Sequence, residues 1–201
     1  MKLRTLFSNH HVVALAAYSL LTLLLTYPSA FRITSHIPGA GDAPWFLWDL
    51  WWFKHALIDL VRSPFVTDLI YFPLRDVPVT WQTQINEFGS IPLQAATNVV
   101  VLYNLLFLST FILSGYFTYL LALRIVGRKE LAFFAGIIFA FCSYRGVRAV
   151  GHLSLLTTQW MPLALLLAIN LWRKPSWRRG VATGVGTSLV ALSSPYYVGF
   201  F

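Results

Sequence analysis

From Val12 to Phe31 the chain runs VVALAAYSLLTLLLTYPSAF, twenty residues without a charged side chain. At 1.5 Å of rise per residue, a helix of about that length crosses the ~30 Å hydrocarbon core of a bilayer. Inside lipid, each backbone N–H and C=O must find its partner within the segment, so a helix is the form such a run takes. Four more runs follow: Leu102–Val126 with Arg124 near its end, Leu131–Val150 with two arginines near one end, Leu153–Trp172, and Val181–Phe201. The expectation is an all-α, multi-pass transmembrane protein, with residues 1–201 as a single membrane domain of about five spans. Composition excludes the soluble alternative. Charged residues make up 11% of the chain and hydrophobic ones 57%, against roughly a quarter charged in an ordinary soluble domain.

The net charge of +8 raises nucleic acid as a partner, and its distribution removes the need for one. With the N-terminus cytoplasmic, the inner segments carry Lys2, Arg4, Arg124, Arg128, Lys129, Arg173, Lys174, Arg178 and Arg179 against the single acid Glu130. The outer segments carry Arg32, Lys54, Arg62, Arg75, Arg145 and Arg148, balanced by Asp42, Asp49, Asp59, Asp68, Asp76 and Glu87. The whole excess therefore falls on one side, as the positive-inside rule expects. The lone Cys142 permits no disulfide within the chain. Pro28 occupies the place where signal cleavage would want a small residue, which favours a retained first span. The apolar ending SSPYYVGFF reads as an interruption, the chain being the N-terminal part of a longer protein.

Residues 32–101 form the first outer loop on this map, too apolar for a free soluble domain. Trp45 to Arg62 suits a helix lying in the interface, with Lys54, His55, Asp59 and Arg62 on one side and Trp45, Phe46, Trp52, Phe53 and Ala56 largely opposite. Tryptophan at headgroup depth is a common anchor. SPFVTDLIYFPLRDVPV reads as a proline-punctuated loop, and Ile91–Tyr103 as a second interfacial or re-entrant segment.

Two carboxylates stand out in that loop. Asp42 follows PGAG and precedes Ala43-Pro44, a good helix start in which it caps the backbone; the alternative is a carboxylate left available for chemistry. Asp49 lies on the apolar side, where it needs a partner such as Lys54 or a distant arginine, or a wet cavity that raises its pKa. A third site is YRGVRAVGH, where Arg145, Arg148 and His152 share a tight outer turn. A guanidinium fork suits phosphate and an imidazole exchanges protons, whereas arginines at span ends also snorkel to headgroups without specificity. No phosphate loop, dinucleotide glycine pattern or cysteine metal set is present.

GDAPWFLWDLWW, SPFVTDLIYFPL, YNLLFLSTFILSGYFTYLL and YRGVRAVGHLSLLTTQWMPL together resemble the polytopic membrane glycosyltransferases of the GT-C fold, and the likeness covers nearly the whole chain. The resemblance implies a polyprenyl-phosphate sugar donor, an acceptor bound from the outer face of the plasma membrane, and a catalytic acid soon after the first span, at the position of Asp42. That carboxylate would serve as general base, or support a divalent cation where one is used. Arg145 and Arg148 would steady the departing phosphate, with His152 beside them. Asp49 and Glu87 are both open as the second acid of the family pattern. Two rival readings use the same residues without chemistry: a transporter or flippase subunit for a lipid-linked substrate, and a non-catalytic assembly protein. Transporters place polar groups near the bilayer midplane, and here the central thirds of the spans hold almost no ionisable residue.

Overall fold

A computed structural model describes residues 9–79 and 83–200; Lys2 and Arg4 of the charge map, and Phe201 at the end of the fifth run, lie outside them. About 72% of the described residues are helical. The helices are α1 (Asn9–Leu25), α2 (Ala43–Lys54), α3 (Gln84–Ser90), α4 (Val99–Val126), α5 (Lys129–Ala140), α6 (Ser143–Arg148), α7 (Leu153–Leu156), α8 (Trp160–Arg173) and α9 (Trp177–Ser193). Two short antiparallel strands, β1 (Val66–Thr67) and β2 (Val77–Pro78), pair Val66 with Pro78 and Thr67 with Val77. The all-α expectation holds, with three helical segments among the described residues long and apolar enough to cross a membrane: Val99–Val126, Lys129–Arg148 and Leu153–Arg173.

The boundaries depart from expectation where proline and polar caps intervene. α1 stops at Leu25, because Pro28 has no N–H to donate and biases Tyr27 away from helix. α4 starts at Val99, ahead of the expected Leu102, since Asn98 accepts a hydrogen bond from the Val101 N–H at 2.9 Å. Ile91–Tyr103 is accordingly divided: a 3₁₀ turn covers Ile91–Ala95, and the rest joins α4. The third and fourth runs are each broken, between α5 and α6 and between α7 and α8. α1 and α9 are 17 residues each, shorter than the runs expected at 12–31 and 181–201.

Packing explains how these pieces meet. Tyr18 of α1 is fully buried and its hydroxyl donates to the Phe133 carbonyl at 3.0 Å. A Cβ on Gly115 of α4 or Gly136 of α5 would collide with its ring or hydroxyl, so two small residues open the slot that lets three helices converge. Outward-facing Val12, Leu20, Leu24, Phe134 and Ile138 stay exposed, an arrangement suited to lipid contact. Helix α2 packs inward: Ala43, Phe46 and Leu50 join Tyr103, Phe107 and Phe111 of α4 and Leu153 and Leu156 of α7 in one core. The tryptophan belt is thus partly core. Trp52 is buried, stacks on Trp48 at 5.7 Å and donates to the Pro64 carbonyl at 2.9 Å.

Candidate functional site

The stretch Gly39–Asp42 lies directly on the turn Ala149–His152. The Ala40 N–H donates to the Val150 carbonyl at 2.6 Å. Gly39, at φ +93°, leaves no room for a Cβ against Val150, and Gly151 leaves none against the Ala40 carbonyl. Both positions therefore require glycine, one for its left-handed backbone and both for close approach. The PGAG stretch is a clamp, and it sets the start of α2 beside the α6–α7 turn.

Asp42 stands at the N-cap of α2 with Pro44 in the first turn, as the helix-start pattern predicts, yet its side chain makes no capping hydrogen bond. The carboxylate turns outward, with the side chain 66% exposed, and lies 3.6 Å from His152 Nε2. The capping alternative is thereby corrected: the outer backbone N–H groups of α2 leave this carboxylate available. Arg148 sits one helical turn before His152, whose N–H donates to the Arg148 carbonyl at 2.9 Å. The Arg148 guanidinium lies 5.3 Å from the Tyr144 ring, and its buried Nε has no hydrogen-bond partner among the described residues.

Arg145 does not share that outer face. It is 1% exposed, and its guanidinium donates to the carbonyls of Ala140 (2.9 Å) and Leu156 (2.8 Å) and to the hydroxyls of Thr158 and Thr110. The Phe111 ring lies 4.9 Å beneath it. The expected gathering of Arg145, Arg148 and His152 is corrected on physical grounds: the carbonyls freed at the ends of α5 and α7 need a donor, and Arg145 is the donor that reaches them. Thr110 and Thr158, silent in the sequence reading, complete that arrangement. Their only sequence signal is the placing of a hydroxyl in an apolar run.

Asp49 and Glu87 form a separate pair beneath α2. Each is 1% exposed. Neither Asp49 oxygen has a hydrogen-bond partner among the described residues, while Glu87 Oε1 accepts the Thr83 N–H at 2.9 Å. Burial first, and the Glu87 carboxylate second, push the Asp49 pKa up to about 8. The partners expected for Asp49 are committed elsewhere. Lys54 binds Asp59 at 2.9 Å with His55 alongside, and Arg62 bridges Asp68 and Asp76 at 3.1 and 3.4 Å. Asp42 and Asp49 lie seven residues apart in sequence, about 10 Å along the helix axis, so the two carboxylates occupy different environments. Among the described residues no three His, Cys, Asp or Glu side chains gather as a metal site. The chain matches no family model, no curated protein and no solved structure.

Proposed function

We propose that this chain belongs to a GT-C-like membrane glycosyltransferase of the plasma membrane, one that moves a sugar from a polyprenyl-phosphate donor to an acceptor on the outer face. The five-span topology with a cytoplasmic N-terminus is part of this reading. The observation that carries it is the Asp42 carboxylate, left outward at the start of a helix and paired with His152 across a glycine clamp. A carboxylate so placed takes the proton of an acceptor hydroxyl as its oxygen attacks the anomeric carbon. The bond from that carbon to the phosphate oxygen breaks, and the polyprenyl phosphate leaves with the bonding pair. Arg148 is assigned to steady the leaving charge, because its Nε has no hydrogen-bond partner among the described residues while every guanidinium nitrogen of Arg145 donates within the protein. His152 orients the Asp42 carboxylate and exchanges its proton with the outer medium.

The test is transfer of radiolabelled sugar from a panel of polyprenyl-phosphate donors by the reconstituted protein, wild type against Asp42→Asn. Asparagine is isosteric but accepts no proton. Loss of roughly a hundredfold or more in rate, with unchanged thermal stability, is the expected result. Equal transfer by both proteins would remove Asp42 from the chemistry.

A further inference from the structure

At the opposite end of the helices from Asp42, a cavity of about 740 Å³ opens between α1, α4, α8 and α9. Leu120, Leu123, Leu166 and Leu167 wall it, and Arg124, Lys174 and Arg179 stand among its lining residues. Arg124 is held in place by Asn170, whose Oδ1 accepts from its Nε at 2.9 Å. Arg179 donates to the Lys174 carbonyl, which keeps the two cations of the α8–α9 turn together. Trp172 and Trp177 flank that turn, 88% and 74% exposed, the placement of tryptophans that sit at headgroup depth. Among the described residues no acidic side chain lines the cavity.

We infer that this cavity is a binding site for an anionic phospholipid of the leaflet into which the basic ends of α4 and α8 project. The phosphate sits among Arg124, Lys174 and Arg179, and an acyl chain follows the leucine wall into the bilayer. Three cations without a balancing carboxylate among the described lining residues favour a negative headgroup. The apolar wall, set between two helices long enough to span, selects a lipid over a free anion, since a soluble phosphate gains nothing from it. Scattered basic residues at a span end give only diffuse attraction; a leucine-walled cavity with an asparagine-anchored arginine defines one position. The inference is independent of the sugar-transfer reading.

Native mass spectrometry of the delipidated, detergent-solubilised protein reads this directly. Phosphatidylglycerol is titrated against phosphatidylcholine, with inorganic phosphate as a competitor. Expected is one saturable equivalent of phosphatidylglycerol, bound roughly tenfold or more tightly than phosphatidylcholine and not displaced by phosphate. Arg124→Gln with Lys174→Gln lowers that affinity by a similar factor, while Arg128→Gln with Arg173→Gln, outside the cavity, leaves it unchanged. Leu123→Trp, which fills the cavity and keeps every charge, also lowers it. Equal binding of both lipids, displacement by phosphate, or equal loss in the two double variants would each overturn the site.

Discussion

Asp49 holds an acid group where water does not reach and no donor among the described residues meets it, beside a second carboxylate. In the unfolded chain its pKa is near 4, and in the folded protein burial and Glu87 raise it to about 8. The folded form therefore keeps a proton that the unfolded form has lost across that window. Stability is unaffected by Asp49 below pH ~4, declines as pH rises from ~4 to ~8, and levels off above. Asp49→Asn removes the titration while keeping the shape. Thermal midpoints of the variant and wild type should coincide near pH 4 and separate steadily up to pH 8, with the variant higher. Parallel midpoints across that range would show that Asp49 is ionised in the native state. This carboxyl was legible in the sequence as costly, because it falls on the apolar side of a helix. Its neighbour was not, since nothing in the local pattern brings Glu87 from α3 under α2.

At the scale of elements, the sequence disclosed the apolar runs and concealed how they end. Runs signal helix through the backbone's need for internal hydrogen bonds, but their limits are set by single residues: Pro28, Asn98, and the carbonyls that Arg145 satisfies between α5 and α8. The interfacial character assigned to α2 was half legible. Its helix start at Asp42-Ala43-Pro44 was plain, while its docking on α4 depends on Phe46 and Leu50 meeting Tyr103 and Phe107, a long-range match with no local signature. The Gly39–Ala40 and Val150–Gly151 clamp is the element-level feature most exposed to test. Gly151→Ala alters neither Asp42 nor His152, yet its methyl meets the Ala40 carbonyl. Displacement of catalytic groups by about an ångström costs up to ~100-fold in rate. In the proposed sugar transfer the variant should lose roughly tenfold to a hundredfold in kcat, with KM little changed; wild-type turnover would free the clamp from any positioning role.

For the molecule as a whole, the charge map predicts two unlike faces, with the Asp42–His152 pair on one and the basic cavity on the other. Cys142 is the only cysteine, so its replacement by alanine gives a clean background for topology. In that background Ser35→Cys should react with a membrane-impermeant maleimide added outside cells, and Arg128→Cys only after the membrane is opened. The reverse pattern would invert the orientation and place Asp42 among cytoplasmic substrates. Both probe positions are exposed, so accessibility reports sidedness and not burial.

The glycine clamp also imposes an order on biosynthesis. Its two halves lie at positions 39–42 and 149–152, with α2, α3, α4, α5 and α6 emerging in between. At ribosomal speeds of about 5–20 residues per second, the first half waits roughly 5 to 20 s for the second. Throughout that interval the start of α2 has no turn to rest on, and α4 must already be inserted before α2 can find its core. The Asp42–His152 pair therefore forms only after α2 to α6 have emerged, and a chain halted before Gly151 would lack α7, α8 and α9 together with the turn that completes the pair.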